Sequence, residues 1–169
     1  MNKEQLRTAQ LPFKEKYKAD PDSAVITLRA RGNLSDGIAC SVETGKALVE
    51  AGLHQATGGN ELQICSGDML LQALVACAGV TLRAVATSLE IPIAGGELTA
   101  EGDLDFKGTL GVSKESPVGF KNIRLSFNLE TDASDEQLAT LLKLTERYCV
   151  VYQTLSKGAS LKTEINTAT

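Results

Sequence analysis

From Met69 to Leu82 the chain carries only two polar side chains, Gln72 and Thr81, inside a longer stretch, Ser66 to Leu89, that meets no proline before Pro92. Leu, Ala, Met and Val at this density, with no helix breaker, predict one long helix. Ser66 is the expected N-cap, and Asp68 falls in the first turn, where a carboxylate suits the positive end of the helix dipole. At ~1.5 Å per residue the helix would run ~36 Å, about the width of a small domain. Apolar on nearly its whole circumference, it belongs in a core or a subunit interface. The purely apolar run is shorter than the ~20 residues that a bilayer needs, and Arg83 ends it.

Alternation with period two surrounds this helix. Ala24 to Arg31 predicts a strand and Ile38 to Glu43 a second, with Gly32-Asn33 and Asp36-Gly37 as turn signals, hence a hairpin. Gly45 to Leu53 fits strand or helix equally. Ala56 to Asn60 reads as a loop, and Leu62 to Cys65 leads into the long helix. Beyond Gly95-Gly96, Leu98 to Phe106 sets Leu98, Ala100, Gly102, Leu104 and Phe106 against Thr99, Glu101, Asp103 and Asp105, the pattern of a half-buried strand. A long loop from Gly108 to Gly119 joins it to Phe120–Leu129, and the two predict an antiparallel pair. Ser134-Asp135-Glu136-Gln137 has the form of a capping box and opens a second helix. Leu138, Leu141, Leu142, Thr145, Tyr148, Cys149 and Tyr152 recur at helical spacing and form its apolar face. Gly158 closes that helix, and Leu161 to Ile165 predicts a last short strand. The expected class is α+β, with residues 1–20 a charged lead-in and 21–169 a single domain.

Composition narrows the function. The net charge of −4, the lack of any sizeable basic cluster and the absence of Trp argue against a nucleic-acid partner. The charged first twenty residues have no apolar core and do not resemble a secretory leader, so the expected location is the cytoplasm, with no membrane partner. In that reducing compartment Cys40, Cys65, Cys77 and Cys149 are expected as free thiols. They form no C-x-x-C pair. His54, the only histidine, sits in a Gly-rich loop and reads as a solvated loop residue. Neither a zinc site nor Ser–His–Asp chemistry is expected. Thr44-Gly45-Lys46 lacks the remainder of a phosphate loop, and no cofactor motif is present. Cys77 and Cys149 fall on apolar helical faces. A free Cys packs as a small hydrophobe, and the spacing of the two does not choose between packing and chemistry.

The stretch Leu70 to Arg83, LLQALVACAGVTLR, resembles the central-helix signature of the OsmC/Ohr family, the osmotically induced and organic-hydroperoxide-resistance proteins, in which a cysteine follows an L-x-x-A-L-x-x-C pattern. Glu146-Arg147-Tyr148-Cys149-Val150-Val151 resembles the second family motif, where a later cysteine begins a C-P-V-type segment. The order of elements fits over roughly residues 22–166. The resemblance implies antiparallel sheets around a long buried central helix in an intertwined homodimer, with two active sites at the subunit interface. It further implies thiol-dependent reduction of organic hydroperoxides: Cys77 as peroxidatic residue, Cys149 as resolving residue, and an external dithiol as reductant.

A buried thiol this far from its own helix N-terminus needs help to ionise. The resemblance assigns that help to an arginine from an early strand or turn; Arg31 is the candidate, with Arg29 close behind. The family places Pro-Glu just before the helix. Here Gly67 stands at the glutamate position and Asp68 beside it, either as a substitute or as a helix-capping charge. Val150 replaces the usual proline, so the second helix is expected to continue unbroken. These departures leave a second reading: an OsmC-like module that binds an apolar ligand or senses redox state without efficient turnover.

Overall fold

The computed structural model of the chain describes residues 2–5, 7–8, 11, 19, 31–35, 39–43, 48–57 and 62–167, with the backbone alone for 31–35, 39–43, 48 and 55. Four strands form the first sheet in sequence order: β1 (Arg31–Ser35), β2 (Ala39–Glu43), β3 (Leu48–Gly52) and β4 (Ile64–Cys65). β1 to β3 are antiparallel, and β4 lies parallel to β3. An antiparallel pair is present, but its first strand overlaps the expected Ala24–Arg31 only at Arg31, and Gly32 and Asn33, expected in a turn, sit inside β1 opposite Val42 and Ser41. Cross-strand pairing overrides the local turn preference there. Of the strand expected over Ala24–Arg31, residues 24–30 lie outside the described residues, as does the Asp36-Gly37 turn signal. The undecided Gly45–Leu53 stretch supplies β3.

Helix α1 spans Ser66–Leu89 as expected. Its N-cap is Cys65 and not Ser66, and no side chain caps it. Cys65 is held extended (φ −67°, ψ 132°) by its pairing with Gly52, so the strand fixes where the helix can begin. At the far end Glu90 turns left-handed (φ 58°, ψ 32°), and the Ile91 amide reaches back to Ala86 O at 2.9 Å. Ile91 then buries itself against the helix it has just left, and Pro92 prevents resumption.

A two-stranded sheet follows, β5 (Gly95–Asp103) against β6 (Asn122–Glu130), in register from Gly95↔Glu130 to Asp103↔Asn122. β5 starts and stops earlier than the alternation suggested. Gly96 (φ 149°) lets the strands close, since a Cβ there would meet Asn128 O at 2.5 Å. Phe106 leaves the strand because Asp105 caps a helical turn over Phe106–Thr109, accepting from the Lys107 amide at 3.1 Å. Ile123, Leu125, Phe127 and Leu129 point inward on β6, as the alternation predicted.

Helix α2 (Asp135–Tyr148) opens with the expected capping box: Ser134 N donates to Gln137 Oε1 at 2.9 Å, and Gln137 N to Ser134 Oγ at 3.3 Å. It does not continue unbroken. Cys149 is extended (ψ 108°) and a separate helix, α3 (Val150–Lys157), begins after it. No proline is required, because the break is bonded on both sides. Gln153 Nε2 donates to the Glu146 carbonyl at 2.8 Å, and the Tyr152 amide donates to Cys149 Sγ at 3.5 Å. The last expected strand, Leu161–Ile165, is irregular chain after α3, with Leu161 88% and Ile165 93% exposed. None of the described strands pairs with this segment, and an extended stretch without a partner strand is not stable as a strand.

α1 packs against α2, α3 and β5. Leu82, Val85 and Ala86 join Ile91 and Leu141 in one buried cluster, and Leu74 and Ala78 join Cys149 in the other. Only this face is covered. Val80 on the open side is 74% exposed, and Leu70 is exposed too, so burial all round is not achieved within one copy of the described chain. By length and composition alone the full helix could cross a membrane, unlike the shorter run from Met69 to Leu82; in this structure one of its faces packs against α2, α3 and β5.

Candidate functional site at two thiols

The break at Cys149 turns the chain so that the first residues of α3 face Cys77, which sits midway along α1. Both sulfurs belong to the same apolar cluster, with Leu74, Ala78, Leu98, Leu125 and Val151 around them. Cys149 is 1% exposed, and Cys77 is half-buried. Neither is bonded in a disulfide.

Their electrostatics are opposite. Burial pushes the Cys77 thiol up, but hydrogen bonds from the Val151 amide, the Cys149 thiol, the Val150 amide and the Thr81 hydroxyl outweigh it and hold Cys77 below the ordinary thiol value. For Cys149, burial again raises the value, the Tyr152 amide opposes it, and the bond donated to Cys77 together with the charge there raises it further. The pair therefore favours one arrangement, a thiolate on Cys77 and an S–H on Cys149 that points at it. A thiolate is the nucleophilic form of cysteine. A second thiol in contact can close a disulfide on it. Next in the chain, Tyr152 is raised by burial, by the charge of Glu146 and by its hydrogen bond to that carboxylate.

Sequence reasoning placed both cysteines on buried helical faces, and the fold brings them together. It missed the donors. Thr81 lies one helical turn beyond Cys77, a spacing that could have pointed to it. The amides of Val150 and Val151 carry no sequence signal apart from a helix that starts directly after Cys149. Of the other candidates, Asp68 is not gathered at the thiols. It is exposed in the first turn of α1, nine residues from Cys77, or ~13.5 Å along the axis. Arg31 opens β1 opposite Glu43; its side chain, and the whole of Arg29, lie outside the described residues. Cys65 is a half-buried thiol at the start of α1, and the Cys40 side chain lies outside the described residues.

His54 is no free loop residue: its ring stacks on Phe106 with centroids 4.9 Å apart, and its Nδ1 accepts from the Ala56 amide at 3.0 Å. Among the described residues no group of three or more His, Cys, Asp or Glu side chains could hold a metal ion. A groove of about 1470 Å³ runs between β6 and helices α2 and α3, lined by Leu74, Leu125, Phe127, Leu141, Glu146 and Tyr152 among others. Neither cysteine lines it. It adjoins the thiol cluster through Leu74, Leu125, Phe127 and Tyr152, which belong to both.

Residues 58–164 match the sequence model of the family described as OsmC-like protein. Solved structures with a similar fold include an OsmC-like protein from Mycoplasma pneumoniae (16% identity, 78% of this chain and 89% of that one, TM-score 0.64). An organic hydroperoxide resistance protein from Elizabethkingia anophelis is similar at 18% identity, 79% and 90% coverage and TM-score 0.62. The organic hydroperoxide resistance protein OhrB of Bacillus subtilis is similar at 19% identity, 79% and 92% coverage and TM-score 0.56. No curated protein sequence matches significantly.

Proposed function

Because this chain belongs to the OsmC-like protein family, we propose that it is a thiol-dependent peroxidase that reduces organic hydroperoxides. The observation that carries this reading is the pair of thiols packed in one apolar cluster, with Cys77 favoured as the thiolate and Cys149 as the thiol. Cys77 attacks the terminal peroxide oxygen; the S–O bond forms as the O–O bond breaks, and the alkoxide takes a proton to leave as alcohol. Cys149 then attacks the sulfenic sulfur, releasing water and closing the Cys77–Cys149 disulfide. An external dithiol reduces that disulfide by exchange and is itself oxidised. The apolar wall of Leu74, Leu98, Leu125 and Val151 favours a carbon-bearing peroxide over hydrogen peroxide.

The working form in this proposal is a cytoplasmic homodimer in which residues 21–169 act as one domain and residues 1–20 as an appendage. The open apolar side of α1 and the exposed Leu161 and Ile165 side chains support it. In such a dimer Arg31 is the candidate to activate the Cys77 thiolate, and Asp68 either orients that arginine from the subunit boundary or serves only as a charge at the start of α1.

One observation favours the second reading, a ligand-binding or redox-sensing module. A Cβ at Gly67 would already touch Phe120 Cζ at 3.4 Å and Leu104 Cδ1 at 3.6 Å, so the family's glutamate position is enclosed by apolar groups here. Steady-state consumption of cumene hydroperoxide with a dithiol separates the two. Sustained turnover, faster than with hydrogen peroxide, is expected. A single stoichiometric oxidation of the thiols without turnover would establish the sensor instead.

A further inference from the structure

The groove between β6, α2 and α3, at about 1470 Å³, exceeds the roughly 300–1,000 Å³ of most small-molecule sites. Leucines from α1, β6, α2 and α3 line it, and Leu74, Leu125, Phe127 and Tyr152 carry its wall into the thiol cluster. A carbon chain lying there stays in apolar surroundings up to the cysteines. Four charged side chains line the groove as well, the carboxylates of Glu97, Glu130 and Glu146 against the single ammonium of Lys121. Glu97, Glu130 and Lys121 are exposed, where water and salt screen them; Glu146 alone of the four is half-buried. It lies one helical turn before Cys149, and the bond from Gln153 Nε2 to its carbonyl at 2.8 Å ties that turn to α3. Among the described residues no lysine or arginine forms an ion pair with it. Tyr152, which groove and thiol cluster share, is raised by burial and then by the charge of this same carboxylate.

A carboxylate without a cationic partner, set in an apolar wall, selects by exclusion: a second negative charge must approach it with little water between them. We infer that Glu146 is a specificity-determining residue, which admits uncharged hydroperoxides to the groove and turns away those that carry a carboxylate near the peroxide. The inference rests on the peroxidase reading and narrows its substrate class to neutral organic hydroperoxides. Apolar lining alone would accept an anionic substrate whose charge stayed in water at the rim; the half-buried position of Glu146, beside the residues that lead to Cys77, is what makes the sign of the charge matter.

The test compares two substrates of one shape, cumene hydroperoxide bearing a para-carboxylate and the methyl ester of the same compound. Peroxide consumption by the full-length chain with dithiothreitol gives kcat/KM for each. The parent chain is expected to favour the ester about tenfold, and Glu146→Gln to bring the two within about twofold of each other. Glu97→Gln changes the net charge by the same amount on an exposed side chain and is expected to keep the parent's ratio. Glu146→Met removes the charge with a different side chain and gives the result if Glu146→Gln folds poorly. Equal rates in the parent overturn the inference, as does an unchanged ratio in the Glu146 variants or an equal fall in Glu97→Gln. The matching alcohols, which cannot oxidise a thiol, are compared on the same proteins by ligand-observed NMR titration. A chain that consumes neither peroxide but binds the ester alcohol with the same Glu146-dependent preference would overturn the enzyme reading and leave the selectivity standing. One that neither consumes nor binds either compound overturns both.

Discussion

Cys149 holds three positions at once: it ends one helix, caps the next through its sulfur, and donates to Cys77. Replacing it by serine keeps a donor and a cap but removes the second sulfur. With one equivalent of organic hydroperoxide, Cys149→Ser is expected to stall with Cys77 as sulfenic acid and to proceed to sulfinic acid under excess oxidant, read by intact mass. The parent chain is expected to link Cys77 to Cys149 and leave Cys65 and Cys40 free in peptide maps; any other pairing removes Cys149 from the mechanism. Asp68 makes a different case. It is exposed and does not cap α1 through its side chain, so Asp68→Asn is expected to cost under about 1 kcal/mol, from the helix dipole alone. Its peroxide rate constant is expected to equal the parent's, and a tenfold loss would show that Asp68 takes part in catalysis, on the order of 1.4 kcal/mol of transition-state stabilisation. Far from the thiols, Arg124 Nη2 meets Asp103 Oδ1 at 2.8 Å, and that hydrogen bond holds the Asp103 carboxyl at about 2. The folded value lies below the ordinary carboxylate value of about 3.9. Its stabilisation is therefore complete above pH ~4 and lost as pH falls toward 2. Carboxyl NMR titration of Arg124→Ala is expected to return Asp103 toward the ordinary value.

At the scale of elements, the end of α1 carries a strained residue. Glu90 sits in the left-handed region (φ 58°), where an L side chain crowds its own backbone. Its pair with Lys3 at 2.8 Å is exposed and contributes little. Glu90→Gly is expected to stabilise the fold by roughly 0.5–1 kcal/mol, read as a higher urea midpoint with unchanged slope. A lower midpoint would show that the ion pair outweighs the strain. This helix was legible in sequence because its signals are local: a continuous apolar run, then Pro92. The capping box at Ser134 was legible for the same reason. Gly45–Leu53 was not, since what makes it a strand is the pairing with β2 on one side and β4 on the other. The break at Cys149 was hidden as well, because a thiol and the Gln153 side chain stand in for the usual proline. The candidate site divides along the same line. Side chains have letters, so both cysteines could be picked out; a peptide N–H has none, so the donors of Val150 and Val151 could not.

For the whole molecule, the distribution of apolar surface decides the species in solution. One side of α1 closes the core, while Val80 on its other side and Leu70 near its start, with Leu161 and Ile165 beyond α3, stay open to water. Exposed apolar surface of that kind marks an interaction site. Light scattering at micromolar concentration is expected to give a dimer, with Val80→Glu shifting it toward monomer; a parent chain that is monomeric would count against an active site shared between subunits. The covered side of α1 also bears on how the chain is made. Its cover, from β5 to α3, is encoded after it, and the last of it, Lys157, follows Leu89 by 157 − 89 = 68 residues. At roughly 5–20 residues per second of synthesis, the most apolar segment of the nascent chain would wait on the order of 3–14 s for that cover. Over that interval the helix is open to any apolar-binding chaperone near the ribosome, so the yield of folded protein depends on translation speed and chaperone supply as well as on the final contacts.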